Sequence, residues 1–438
     1  MPVLERCRGA MLGLAVGDAL GAPVEGLKGG HIVQLYGRLD DYPDAAVAFR
    51  AKPQRFRLRG LYTDDTQQAL ALADTLVRCR GFNADHFRQS LLDLARADTG
   101  QPLGAHRGAG AGIAALVRAD DEGLDFMAVA PASAGTGAMM RAAPVGLFFE
   151  SDEAVLRAAI EQSLVTHRDP RSAVMAAMAA LAVARAASGA WDRVKPPARL
   201  RELAEAAPEA ERMLEREFIH LVPIAGMGRL GLAASGMRLL PRLPELPERQ
   251  MVWNQIVAEA NRQFPEHKIT EPGQGFVMAS GLSALFLGLT AADYEDAVLS
   301  AVLLGKDTDT MAAIAGAIAG ARWGEEGIPA KWLRGLRNAK QVGLRGDALC
   351  AREAEGLKLK DLTAMEAELT RLEVKEREAF VAAMIAKGEV PPPLTDSQKE
   401  ARKKPEEQKV GEASPLPAPD VRRGKRQKPD RKKAPWKN

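Results

Sequence analysis

Small apolar side chains recurring at helical spacing, in segment after segment, are the material this chain offers for a core. Alanine is abundant throughout, while aromatic residues make up only 5%. Surfaces of that kind let helices approach closely; sheets draw on branched and aromatic side chains instead. The run 66–80 is typical, with Leu70, Ala73, Leu76 and Val77 on one helical face. Further helices are expected over 1–20, 84–97, 108–119, 152–166, 171–188, 249–262, 276–289, 293–304 and 310–323, with a charged amphipathic helical stretch over 195–220. Gly21-Ala22-Pro23 stops the first helix. Residues 27–60 mix Gly, Pro, Asp and Arg without periodicity and read as a long loop, and Pro241, Pro244 and Pro247 break any helix there. Strands nowhere alternate with helices, so the expected class is all-α, a compact multi-helix bundle.

The chain has 438 residues, 46% hydrophobic and 27% charged, a normal balance for a folded domain. Its formal net charge of +3 is unevenly placed: residues 421–438 hold nine Lys/Arg against the single acid Asp430, so the remainder is net acidic. Cys7, Cys79 and Cys350 are an odd, scattered set with neither a disulfide framework nor thiolate metal spacing, which points to a reducing, cytoplasmic setting. The apolar stretch Ala10–Val16 follows Arg6 and Arg8 but is met at once by Asp18, and reads as a buried first helix rather than a secretion signal. No segment reaches the roughly 20 apolar residues needed to span a bilayer. Three regions follow: a main domain over 1–345, a helical extension over 346–390, and a Pro-, Lys- and Glu-rich tail over 391–438 expected to be disordered. Leu362, Met365, Leu369 and Leu372 form a short heptad-like stripe in the extension, read as a helix docked on the main domain, with a coiled-coil partner site as the alternative. The tail's Arg422, Arg423, Lys425, Arg426, Lys428, Arg431, Lys432 and Lys433 could give weak nucleic-acid contact through counterion release, with Trp436 as a stacking residue, or could simply solubilise.

Two acidic clusters carry the chemistry. Thr63-Asp64-Asp65-Thr66 sits where the long loop meets a helix, and Asp307-Thr308-Asp309-Thr310 sits just before another. Either can serve as a helix cap, satisfying free N–H groups at the positive end of the dipole. Either can also aim carboxylates into a common space, and in an extended segment Asp307 and Asp309 would face the same side. Oxygen ligands without nearby Cys or His suit hard ions such as Mg²⁺ or Mn²⁺. Four carboxylates could hold two such ions about 3.5–4 Å apart.

With these clusters in place, the sequence resembles the ADP-ribosylglycohydrolase family over roughly residues 5–335. The motifs run in order from Arg8-Gly9-Ala10 through Gly17-Asp18-Ala19-Leu20-Gly21 and the trailing Glu25 to Tyr62–Gln67, Gly135–Pro144, Thr166-His167, Gly275–Ser280 and Asp307–Gly316. The resemblance implies an all-α fold with a central cleft holding two divalent ions, Mg²⁺ or Mn²⁺. It implies Thr63, Asp64 and Asp65 as ligands from one side and Asp307, Asp309 and Thr310 from the other. Glu25 looks like the acid near the scissile bond, and with Asp64, Asp65 and Asp309 it makes up the expected catalytic set. Gly135, Thr136, Gly137 and Ala138 resemble the loop that approaches a diphosphate, and His167 and Ser280 match positions lining an ADP-ribose pocket. Arg141 is expected to pair with a carboxylate structurally, and Asp18 to act as a structural cap.

The implied reaction is hydrolysis of the glycosidic bond between ADP-ribose and a modified substrate, through an oxocarbenium-like transition state. ADP-ribosylated protein is the favoured substrate, linked through arginine; serine linkages, nucleic-acid ends and small ADP-ribose conjugates are variants. The other reading is an ADP-ribose-binding or immunity-type module of the same fold with little turnover. Two departures from the family pattern bear on the site: Lys306 stands where a second glycine is usual, and Thr136 where asparagine is usual. The insertion-like region 190–265 departs most from the motif blocks.

Overall fold

The computed structural model describes residues 2–49, 52, 55–125 and 131–389; the tail expected from Pro391 onward, with its basic residues, lies outside them. Fifteen helices are used below: α1 (Leu4–Gly21), α2 (Gly29–Tyr36), α3 (Asp64–Cys79), α4 (Ala84–Arg96), α5 (Ala111–Asp121), α6 (Ala143–Phe148), α7 (Asp152–Leu164), α8 (Pro170–Ala187), α9 (Pro196–Met213), α10 (Arg249–Gln263), α11 (Leu282–Thr290), α12 (Tyr294–Val302), α13 (Thr308–Trp323), α14 (Ala339–Ala351) and α15 (Leu362–Ala386). Among the described residues the only β-type pairing is an isolated bridge between Lys28 and Gly305. The all-α class expected from the sequence is the class observed.

Three helices, α1, α8 and α13, are buried on nearly every side. A helix apolar all round belongs in a core, and these three are built largely from Ala and Gly. Met11, Leu14 and Leu20 of α1 are fully buried, each worth about 1.5–3 kcal/mol of transfer free energy. The packing of α1 on α13 explains the small residues. A Cβ on Gly9 would lie 2.4 Å from the Gly320 carbonyl oxygen, on Gly13 2.4 Å from that of Gly316, on Gly17 2.1 Å from that of Ala312, and on Gly21 2.4 Å from the Asp309 nitrogen. Glycine at every fourth residue thus runs the two helices antiparallel at backbone contact. This ladder delivers the C-terminal end of α1 to the second acidic cluster. Tyr294 of α12 donates its hydroxyl to the Gly13 carbonyl at 2.7 Å and closes the seam.

Three details differ from the sequence reading. Within the expected loop 27–60 lies α2, whose single buried residue, Ile32, is too little to show as periodicity. Helix α5 begins at Ala111 rather than 108, because Gly108 has φ +102 and belongs to a loop. The boundary read after residue 345 falls inside α14, and residues through Glu389 form one compact unit. The extension packs as a docked helix: α15 buries Met365, Glu366, Ala367, Thr370 and Glu373. No helix among the described residues is long and apolar enough to cross a membrane.

Candidate active site

A cleft of about 290 Å³ opens where the ends of α1, α3, α5 and α13 meet the glycine loop before α6. Its walls include Glu25, Asp64, Asp65, Thr136, His167, Asp307, Asp309 and Thr310. A larger cavity of about 810 Å³ lies between the C-terminal half of α3, α4 and α14, but its buried charge is already paired, with Arg345 donating to both oxygens of Asp74 at 2.8 Å. The smaller cleft holds the unpaired acids.

Each acid is delivered by a different local device. At the start of α3, Thr63 is the N-cap, accepting from the Asp65 N–H at 3.4 Å. The buried carboxylate of Asp18, from α1, accepts from the backbone N–H groups of Thr63 and Thr66 and from both hydroxyls, at 2.6–3.0 Å. Asp18 therefore does the capping, which frees Asp64 and Asp65 to face the cleft. The Oδ1 of Asp65 is buried with no hydrogen-bond partner. Asp64 accepts from the Gln68 side chain at 2.6 Å.

At the second cluster the segment is not extended as expected, since Thr308 already begins α13. Asp307 occupies the N-cap position but makes no capping bond; it accepts from the Thr136 hydroxyl at 3.0 Å instead. Asp309 accepts from the Thr310 N–H at 3.0 Å, and Thr308 donates to the Gly21 carbonyl at 2.8 Å. Backbone bonds tie this cluster to the Glu25 loop: Gly26 N–H to the Lys306 carbonyl at 2.7 Å and Lys306 N–H to the Leu27 carbonyl at 2.6 Å. Lys306 holds φ +69, a left-handed conformation that suits glycine. Its ammonium lies 3.9 Å from Glu271, outside the cleft.

Concentrating acids in this way raises their pKa values. Burial, then repulsion from Asp18 and Glu25, pushes Asp64 up to about 7. Burial pushes Asp307 up to about 6 against the bonds from Thr136 and Thr310. Asp65 and Asp309 rise well above the carboxylate range, first through burial and then through repulsion from neighbouring acids. Among the described residues, no three His, Cys, Asp or Glu side chains form a group that could hold a metal ion as they stand. The donor chemistry nevertheless fits hard divalent cations: carboxylate and hydroxyl oxygens, one of them orphaned, that repel one another and would gain from a positive charge.

The opposite wall is the glycine loop. A Cβ on Gly137 would lie 2.7 Å from Cε1 of His167, and one on Gly135 3.5 Å from its Nε2. The imidazole therefore packs against bare backbone, its Nδ1 held by the Thr166 hydroxyl at 2.8 Å. Burial drives its pKa down to about 3, so the ring is neutral. Thr63, Ala138 and Ser280 do not line the cleft: the Thr63 hydroxyl serves Asp18, Ala138 is fully buried, and Ser280 donates to the Phe276 carbonyl at 3.1 Å. Arg141 does not meet a carboxylate as expected. It is wholly buried and donates to Gln68, Gln162 and Thr166 at 2.5–2.9 Å, and burial lowers its pKa to about 9. Through Gln68 it reaches Asp64 indirectly.

The sequence reading missed Gln68, the loop residues Gly108 and Gly110, and the first turn of α5 in the cleft wall. The glycine run was visible but was absorbed into a helix. A Cβ on Gly108 would lie 3.0 Å from Asp64 Oδ1, so this loop roofs the first cluster.

The ADP-ribosylglycohydrolase family model matches residues 1–367. The chain belongs to the ADP-ribosylglycohydrolase family. It is 28% identical over 336 residues to an ADP-ribosylarginine hydrolase Tri1 of Pseudomonas putida, covering 75% of this chain and 74% of that protein. It is 26% identical over 353 residues to the ADP-ribosyl-[dinitrogen reductase] glycohydrolase of Rhodospirillum rubrum, covering 80% of this chain and 97% of the relative. A solved structure titled ADP-ribosylglycohydrolase-related protein complex superimposes with a TM-score of 0.52 at 27% identity, covering 80% of this chain and 98% of the other. The glycohydrolase class expected from the motifs is the class of these relatives.

Proposed function

We propose that this family member hydrolyses the glycosidic bond joining ADP-ribose to a modified protein side chain, with arginine the favoured linkage, and that it does so with divalent metal ions held in the acidic cleft. One observation carries the reading: carboxylates from three segments, Glu25, Asp64/Asp65 and Asp307/Asp309, line one cleft whose far wall is glycine backbone packed on a neutral histidine. Asp64, Asp65, Asp307, Asp309 and Thr310 are the residues that would hold Mg²⁺ or Mn²⁺. Bound there, the ions would supply Lewis acidity toward the ribose hydroxyls and the attacking water.

The chain's own groups do the rest. Glu25, in the cleft wall on a loop pinned by backbone bonds to Lys306, would hold or move a proton at the anomeric centre. Gly135 and Gly137 let phosphate oxygens approach the main chain. The first turn of α5 adds N–H groups without intrahelical partners on the same side of the cleft. His167, neutral at working pH, can donate one hydrogen bond to the ligand without carrying charge.

The test is release of free ADP-ribose from arginine-ADP-ribosylated protein with Mn²⁺ or Mg²⁺, with and without chelator, beside serine-linked substrate. Metal-dependent release from the arginine substrate, lost in an Asp307→Ala/Asp309→Ala double variant, is expected. Tight ADP-ribose binding with no release from either substrate would replace the hydrolase with a binding module.

A further inference from the structure

Glu366 lies on α15, in the helical extension and outside the cleft lining, yet it is completely buried, and its carboxylate accepts three hydrogen bonds. Its Oε1 accepts from the Tyr62 hydroxyl at 2.6 Å. Its Oε2 accepts from the Gln67 side chain at 2.9 Å and the Arg107 guanidinium at 2.6 Å. Tyr62 and Gln67 are the two residues that bracket Thr63–Thr66, the first acidic cluster. Arg107 completes the frame: its Nε donates to the Tyr62 carbonyl at 2.9 Å, its own N–H to the Gln67 side chain at 2.9 Å, and its carbonyl accepts the Asp64 N–H at 2.9 Å. The guanidinium also stacks over the Tyr62 ring at 5.1 Å.

We propose that Glu366 is a positioning residue for the acidic cleft: one carboxylate on the C-terminal helix fixes both ends of the Tyr62–Gln67 segment and, through Arg107, the backbone of Asp64. The inference rests on the proposed function for its catalytic consequence, but its geometric content does not. The acidic turn is gripped from two directions, by Asp18 from α1 and by Glu366 from α15. Each grip is a buried carboxylate collecting several donors, an arrangement that loses its geometry when the charge is removed. Thr370 strengthens the second grip, accepting from Arg107 Nη1 at 2.9 Å and donating to the Ala105 carbonyl at 2.7 Å. Helix α15 therefore belongs to the machinery of the site as well as to the packing of the fold. Groups that hold ligating residues in place tune metal affinity as well as stability; Glu366 acts one bond further out, holding Arg107, whose carbonyl in turn holds the Asp64 N–H.

The experiment compares Glu366→Gln and Tyr62→Phe with Leu369→Ala in the full-length protein. Leu369, on the same helix, is a partly buried apolar residue packed against the core, and its side chain has no polar atom with which to bond the acidic segment. Three quantities are read: melting temperature, amide hydrogen exchange of peptides spanning 62–68, and Mn²⁺ affinity by calorimetry. Glu366→Gln is expected to speed exchange over 62–68 and to weaken Mn²⁺ binding about 10-fold, the lower end of the effect of partners bonded directly to ligands. Tyr62→Phe, which keeps the ring and removes one hydroxyl, should move both in the same direction by less. Leu369→Ala should lower the melting temperature while leaving exchange over 62–68 and Mn²⁺ affinity within about twofold of wild type. Should Glu366→Gln fail to fold, Tyr62→Phe carries the same two readouts. If the Glu366 and Tyr62 variants match Leu369→Ala in both exchange and affinity, Glu366 is a packing staple and the proposal is overturned. Wild-type protein that binds no Mn²⁺ would instead remove the metal reading of the cleft; exchange over 62–68 then decides Glu366 alone.

Discussion

The Thr136 hydroxyl donates to the Asp307 carboxylate at 3.0 Å, joining the glycine loop before α6 to the second acidic cluster. It stands where the family pattern usually has asparagine, and it keeps a donor there on a shorter side chain. Because the bond favours the charged form of Asp307, removing it should raise that pKa above about 6. Metal ions compete with protons for the same oxygens. Thr136→Val is therefore expected to shift the acidic limb of Mn²⁺ binding to higher pH, with Thr136→Asn retaining the wild-type limb. Titrating Mn²⁺ between pH 5 and 8 checks this; an unmoved limb in Thr136→Val would mean that the hydroxyl does not govern Asp307.

The raised carboxylates also make a stability statement. Asp64 reaches about 7 in the folded protein against roughly 3.9 in an unfolded chain. The folded state then binds more protons across that window, so this group's contribution falls as pH rises from about 4 to 7. Asp64→Asn is expected to match wild type in metal-free stability only below about pH 4, under both pKa values. At pH 8 it should be more stable than wild type by on the order of 4 kcal/mol. The same variant should lose the stabilisation that Mn²⁺ gives wild type at pH 8. A metal-free Asp64→Asn protein no more stable than wild type at pH 8 would sink the argument.

His167 depends on a missing side chain opposite it. Gly137→Ala places a methyl group 2.7 Å from Cε1 of the ring, closer than real contacts allow, so the imidazole or the loop must move. A shift of about 1 Å at such a wall costs roughly 100-fold in turnover. The expected result is a large drop in kcat/KM with little change in melting temperature. Steady-state kinetics beside a thermal melt separate this from general unfolding.

Much of this was legible in the sequence, for identifiable reasons. The abundance of alanine announced closely packed helices, and the two Asp/Thr clusters announced helix starts; the glycine ladder of α1 on α13 was not read in advance. Whether those clusters cap or face a cleft was not legible. Asp18 was expected to be a structural cap, but that it caps the helix at Thr63, 45 residues on, follows only from tertiary packing. The convergence of Asp307 with Thr136, 171 residues apart, likewise follows from tertiary packing. Glu366 stayed hidden because an acid in a charged, heptad-like helix looks solvated until Arg107, Tyr62 and Gln67 are seen around it.

Lys306 holds a left-handed backbone at φ +69 with only a 3.9 Å link to Glu271 to recommend its side chain. A left-handed non-glycine residue costs about 1–2 kcal/mol, part of which glycine returns through its looser unfolded state. Lys306→Gly is expected to gain about 0.5–1 kcal/mol without loss of turnover. Chemical denaturation measures the first and the release assay the second. A fall in activity would assign the ammonium a role at the cleft.

The glycine ladder between α1 and α13 should show a gradient from stability to function along its length. Gly9 and Gly21 face equal obstacles, since a Cβ on either would meet backbone at 2.4 Å. Their surroundings differ: Gly9 opposes Gly320, far along α13, whereas Gly21 opposes Asp309 itself. Forcing a methyl group into either contact spreads the helices and costs about 1–3 kcal/mol or more. Gly9→Ala is expected to lower the melting temperature and leave kcat near wild type in the surviving folded fraction. Gly21→Ala displaces the backbone of Asp309 and should reduce kcat and Mn²⁺ affinity beyond what its melting temperature accounts for. Measuring all three in both variants decides the matter: equal losses of activity at equal losses of stability would mean that the ladder holds the fold together without setting the position of the acids.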